Sequence, residues 1–226
     1  MGTLLGGVGG VVVGTAPPAS AQVSSWSHLS PQASPPASNG GSMAFDSATG
    51  NMVFFGGYDG SKAVNGTWSW SGTNWTELSP TTSPPPRQYA SMAYDAATGN
   101  IVLFGGQGAT GGVLNDTWTW DGTNWTQLFP AATPGARDDT SMAYDPSTAN
   151  MVLFGGYNGI ETFSGTWTWD GTNWTQLSPT ASPPARGSAS MAYDTATGDM
   201  LLFGGFGNAS VLGDTWTWDG TNWTQP

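Results

Sequence analysis

The 226-residue chain has no cysteine, one histidine and only 4 Lys+Arg. Without Cys there is no disulfide framework, thiolate metal site, Fe–S cluster or cysteine nucleophile. His28 alone cannot build a two- or three-histidine zinc or copper centre, and a Ser-His-Asp triad would rest entirely on it. With 15 Asp+Glu and a formal net charge of −11, the chain lacks the basic clusters that phosphate binding needs, so nucleic acid is excluded as a partner and an anionic membrane surface is disfavoured. Charged residues make up 8% of the chain, against about 25% in an ordinary globular domain. No cofactor is expected, and most enzyme classes are improbable.

What is abundant is glycine (34), proline (16) and tryptophan (13). The first two approach the range of low-complexity chains, but the aromatics supply a core, since each buries about 150–250 Å². The apolar stretch at residues 3–16 is too short for a spanning helix, which needs roughly 20 residues. It leads into Ala19-Ser20-Ala21, an A-x-A pattern, although no Lys or Arg precedes it. Residues 1–21 are read as a secretory signal peptide, which places the mature chain outside the cell or on its surface without a membrane span. A Gly-rich tail is the alternative.

The remainder is one unit written four times. Met43, Met92, Met142 and Met191 are separated by 49, 50 and 49 residues, and Gly56-Gly57, Gly105-Gly106, Gly155-Gly156 and Gly204-Gly205 keep step with them. Such a period, with short apolar runs between turn signals and no helical periodicity, predicts four-stranded β-propeller blades. In the second unit, Ser91–Asp95 reads as strand a. Ile101–Phe104 is apolar on both faces, as befits an interior strand b. Thr117–Trp120 alternates as strand c, and Asp121-Gly122 turns the chain into strand d at Asn124–Leu128. The fold expected is all-β, with four complete blades at about 41–78, 90–128, 140–177 and 189–225, forming with the start of the mature chain one domain, 22–226. Ser25–Pro31 aligns with Asn74–Pro80, which adds a lone outer strand at 24–29.

Four hydrophobic residues followed by Gly-Gly (MVFF, IVLF, MVLF, MLLF), then an aromatic on strand c and a Trp on strand d, resemble the kelch repeat from Met43 to Gln225. The chain departs from that pattern in having Trp at 68, 118, 167 and 216, where kelch blades usually carry Tyr. The resemblance implies a closed ring of about five to seven blades. Four blades therefore suggest a fragment of a longer propeller, with self-association as a consequence, or a compact four-bladed ring. The galactose oxidase type of propeller is kelch-like, but its copper site uses histidines, tyrosines and a Cys-linked Tyr that this chain cannot assemble.

In such blades the a–b and c–d turns share one end, and the b–c and d–a connections share the other. The first end is nearly identical in each unit and the second differs throughout, so recognition is assigned to the second. Its candidate contacts are Tyr58, Asp59, Tyr89, Gln107, Tyr157, Glu161, Phe163 and Phe206, with Arg87, Arg137, Arg186, Asp138 and Asp139 from the connectors. The three arginines could ring the channel and grip carboxylates, or could tie each connector to a carbonyl or a nearby Asp; the structural role is favoured. Asp138-Asp139 could serve calcium or paired-carboxylate hydrolysis, but a solvated turn is favoured. The Trp residues are read as packing between blades, and the repeated Asn-Trp-Thr sequons as repeat geometry. The function expected is non-enzymatic binding or scaffolding directed at an extracellular protein or glycan. The alternatives are the propeller of a carbohydrate-active or oxidase-like enzyme, and a structural surface or matrix protein.

Overall fold

Alternation and hairpin chemistry become four antiparallel sheets in the computed structural model, which describes residues 26–226. The leader expected at 1–21 lies outside the described residues. Blade 1 comprises β1 (Ser42–Asp46), β2 (Asn51–Phe55), β3 (Thr67–Trp70) and β4 (Trp75–Leu78). A short β5 (Arg87–Gln88) precedes blade 2, which contains β6 (Ser91–Asp95), β7 (Asn100–Phe104), β9 (Thr117–Trp120) and β10 (Trp125–Leu128); β8 (Gln107–Gly108) in its b–c loop pairs with β5. Blade 3 is β11 (Ser141–Asp145), β12 (Asn150–Phe154), β13 (Thr166–Trp169) and β14 (Trp174–Leu177). Blade 4 is β15 (Ser190–Asp194), β16 (Asp199–Phe203), β17 (Thr215–Trp218) and β18 (Trp223–Thr224). Strand order within each sheet follows the chain, and the four sheets form a four-bladed β-propeller.

One expected element is corrected. Over the described part of the strand expected at 24–29, Trp26–Leu29, no strand is formed, and Trp26 is fully exposed. The reason is pairing: an outer strand needs a strand c, and each strand c here is already paired with its own strand d.

The core lies between blades, because strand b is apolar on both faces and must be covered twice. Val53 and Phe55 of β2 pack with Ile101, Leu103, Trp118, Trp120 and Trp125 of blade 2. Val102 and Phe104 do the same against Met151, Leu153, Trp169 and Trp174, and Val152 and Phe154 against Met200, Leu202, Trp218 and Trp223. Each junction repeats one edge-to-face contact at 5.2 Å, in the pairs Phe55–Trp125, Phe104–Trp174 and Phe154–Trp223. Each also satisfies its buried indole N–H: Trp125 donates to Thr67 Oγ1 at 3.0 Å, Trp174 to Thr117 at 2.9 Å and Trp223 to Thr166 at 2.8 Å. The Ser42, Ser91 and Ser141 hydroxyls donate to Ala90 O, Thr140 O and Ala189 O of the following blade.

These contacts seal three junctions. On blade 4, Leu201 and Phe203 stand where Val53 and Phe55 stand on blade 1, yet they are 42% and 53% exposed. On blade 1, Met43 and Phe45, the equivalents of Met92 and Tyr94, are 53% and 52% exposed. The two outward faces therefore carry the residues equivalent to those that meet at the other three junctions.

This packing makes a position-dependent prediction. Replacing Trp125, which is 1% exposed, by Ala should cost about 3–5 kcal/mol as a large-to-small core change. The same change at half-buried Trp75, which lacks a neighbouring strand b, should cost less than about half of that. Chemical denaturation of the two variants checks it, and equal losses would contradict the account.

Candidate functional site

The two ends of the blades differ in what their polar groups do. At the a–b and c–d end, carboxylates are consumed by their own turns. Asp121 Oδ1 accepts the N–H groups of Thr123 and Asn124, both at 2.8 Å, and Asp170 and Asp219 do the same in their blades. The Asn124 N–H and the Thr123 hydroxyl hold the Asp121 carboxyl below the usual carboxylate range. Little is left over for a ligand.

At the other end the connectors meet around the axis. Four equivalent residues, Gly40, Tyr89, Asp139 and Ser188, enter strand a with φ of 63°, 56°, 53° and 52°. Only the first is glycine. Left-handed backbone at the other three costs of order 1–3 kcal/mol each and is held by surrounding contacts. Each residue donates its N–H to the carbonyl before it: Tyr89 to Gly40 at 2.6 Å, Asp139 to Tyr89 at 3.0 Å and Ser188 to Asp139 at 2.8 Å. The Tyr89 ring lies over the Cα of Gly40 so closely that a side chain there would collide with it.

This chain of bonds gathers several of the candidate residues. Asp138 pairs through its backbone with Tyr157, and the Tyr157 ring meets Phe206 edge to face at 5.9 Å. The Asp139 carboxylate accepts a hydrogen bond from the Ser188 hydroxyl at 2.7 Å. The solvated turn expected at Asp138-Asp139 is corrected here, since Asp138 is only 5% exposed and its Oδ1 has no hydrogen-bond partner among the described residues. Burial, then the charge of Asp139, pushes its carboxyl up to about 6. No group of three or more His, Asp or Glu side chains able to hold a metal ion occurs among the described residues.

Tyr58 and Gln107 meet elsewhere on this end, in a groove of about 320 Å³ between the b–c loops of blades 1 and 2, with Lys62 and Gln88 beside them. The Gln88 amide donates to Gln107 Oε1 at 2.8 Å. Asp59 does not extend that groove's chemistry, because its Oδ1 accepts the Ser61 hydroxyl and the N–H groups of Ser61 and Lys62. Those bonds, the Ser61 hydroxyl first, lower its pKa. Glu161 is exposed on the blade 3 loop, apart from both clusters.

The arginines are withdrawn from the channel. Arg87 is 1% exposed; its Nε donates to Pro85 O, its Nη1 to Gly105 O, and its two terminal nitrogens grip Asp116 at 2.6 and 2.8 Å. Arg186 repeats this with Pro184 O, Gly204 O and Asp214. The Trp118 and Trp216 indoles donate to the same carboxylates, both at 2.7 Å. Arg186, helped by Trp216, holds the Asp214 carboxyl far below the usual range. Arg137 keeps the two carbonyl contacts, to Gly135 and Gly155, but has no Asp; its guanidinium instead lies 4.0 Å from the centroid of the Phe163 ring. The connector-tying role favoured from sequence is what the three residues perform.

Asp116 and Asp214 were missed in the sequence, and their signal was an Asp two residues before the strand-c Trp in two of four units. The sequon asparagines also have structural roles: Asn124, Asn173 and Asn222 accept the connector N–H groups of Thr81, Ala131 and Thr180. No family model and no curated protein matches the chain.

The raised pKa of Asp138 has a definite sign. Its folded pKa of about 6 lies above the ordinary value of 3.8, so ionisation opposes folding; the penalty is absent below about pH 4, grows as pH rises and is complete above about 6. Asp138→Asn should therefore raise the melting temperature relative to the parent at pH 7.5, with the difference shrinking as pH falls towards 4. Thermal melts across that range check it, and a pH-independent difference would contradict it.

Proposed function

We propose that the chain is an exported kelch-type propeller that binds an extracellular protein or glycan through its b–c and d–a face and performs no chemistry of its own. The observation that supports this most is the contrast between the two ends of the same blades. One end spends its polar groups on repeated turns. The other presents loops of four different sequences, a polar groove at Tyr58 and Gln107, and an aromatic and acidic cluster at Tyr89, Asp139, Tyr157 and Phe206. Symmetric scaffolds discriminate through their asymmetric loops, and these loops are fixed by hydrogen bonds that reduce the entropy lost on binding. The kelch assignment rests on the in-phase Gly-Gly and Trp positions, which recur in the same role at three blade junctions.

A second reading has one observation in its favour. Asp138, with a carboxyl pushed up to about 6 beside Asp139, has the character of a general acid paired with a carboxylate.

A panel of immobilised glycans and extracellular proteins, probed with the full chain, tests both readings. Capture should fall at least tenfold in the double variant Gln107→Ala with Glu161→Ala, with the melting temperature unchanged. It should persist in Thr123→Ala at the opposite end. Equal losses in both variants would contradict the face assignment, and glycan turnover that disappears in Asp138→Asn would replace binding by hydrolysis.

A further inference from the structure

The four blades carry the same inter-blade position in three chemical states. Where the connector enters blade 2, Arg87 faces Asp116, and at blade 4 Arg186 faces Asp214. At blade 1 neither partner is present: Ser38 and Gly66 occupy the equivalent positions. At blade 3 the cation remains and the carboxylate is gone, because Arg137 faces Gly165. The guanidinium is nevertheless buried, with Arg137 only 5% exposed.

The donors that the missing side chain would have used are left over. Arg137 spends Nε on Gly135 O at 2.8 Å and one N–H of Nη1 on Gly155 O at 2.9 Å. In blades 2 and 4 the corresponding Nη1 and Nη2 also hold both carboxylate oxygens, and a strand-c indole donates to one of them. In blade 3, Nη2 and the Trp167 indole N–H have no acceptor among the described residues. A cavity of about 460 Å³ opens there, lined by Arg137, Phe163, Gly165, Trp167, Gln176 and Leu177. A Cβ built on Gly165 would stand 3.2 Å from Trp167 Nε1, so the lost side chain would have entered the cavity alongside that donor.

We infer that this cavity is a binding site for a small carboxylate ion, which takes the place of the Asp side chain absent at Gly165. One oxygen accepts from Nη1 of Arg137, and the other from Nη2 and from the Trp167 indole, in the bidentate geometry that the protein builds for itself twice elsewhere. Phe163, Trp167 and Leu177 give the ligand's substituent an apolar wall, which favours a carboxylate with a short hydrocarbon or ring attached over an inorganic anion. Desolvation lowers the Arg137 pKa to about 10, a cost that an arriving anion relieves. Arg87 and Arg186 cannot serve as such sites because their own carboxylates fill them.

The test uses sodium acetate and sodium propionate, with sodium chloride and neutral propionamide as controls. On titration of the full chain, the carboxylates should bind with a Kd of about 1 mM, as expected of a ligand of four or five heavy atoms, and should shift one indole N–H resonance that disappears in Trp167→Phe. Gly165→Asp restores the pair found in blades 2 and 4; φ at this glycine is not in the left-handed region, so an L side chain is accommodated. That variant should melt higher than the parent and lose carboxylate affinity at least tenfold. Undiminished carboxylate binding in Gly165→Asp would overturn the assignment. So would an equal response to chloride or propionamide, or no response in the parent at 100 mM carboxylate.

Discussion

Everything else in the molecule follows from having a strand b that is apolar on both faces. Such a strand cannot be stable in an isolated sheet; it needs a second sheet on its outer side, and the repeat supplies one 49 or 50 residues later. The demand also reaches the loops. Gly105 has φ of 64°, and a Cβ there would lie 2.5 Å from the Arg137 carbonyl of the incoming connector; the same holds at Gly56 with Arg87 and at Gly155 with Arg186. At these three positions glycine is thus required both by its own left-handed backbone and by the connector of the next blade. At Gly204, where no described connector passes, the nearest approach relaxes to 3.5 Å while φ stays at 69°.

The buried arginines belong to the same construction. A connector must cross from the outer strand of one sheet to the inner strand of the next, and its carbonyls have no ladder to join. A guanidinium placed at its end bonds one carbonyl of its own connector and one of the Gly pair after strand b of the blade it enters, so a single side chain ties two backbones together. Burying that cation carries a desolvation cost that a carboxylate offsets only with good geometry. Blades 2 and 4 provide the carboxylate; blade 3 relies on the face of Phe163.

The architecture was legible because it is written in spacing. Period, hairpin dipeptides and double-sided apolar runs each depend on local chemistry repeated in phase, and the strand boundaries follow them closely. What could not be read was tertiary pairing between positions that are far apart in the chain. Nothing local joins Arg87 to Asp116, or says that Tyr89, Asp139 and Ser188 adopt left-handed backbone in line with Gly40. The outer strand expected near Trp26 fails for the opposite reason: its local sequence is right, but it has no strand to pair with. In the candidate site, residue types were legible while their availability was not, since Asp59, Arg87 and Arg186 are already engaged and Asp138 is buried.

The tryptophans that close each c–d hairpin leave the molecule with an optical signature. Trp70–Trp75, Trp120–Trp125, Trp169–Trp174 and Trp218–Trp223 have ring centroids 5.3–5.4 Å apart at 44–48°. Two indole chromophores that close, held obliquely in one handedness, couple their excited states and split their far-ultraviolet circular dichroism into a couplet of opposite-signed bands. Because the geometry recurs almost unchanged, the four couplets add in phase. Their summed amplitude measures how many blades have formed their outer hairpin, so the progress of folding along the chain can be followed by light without any attached label.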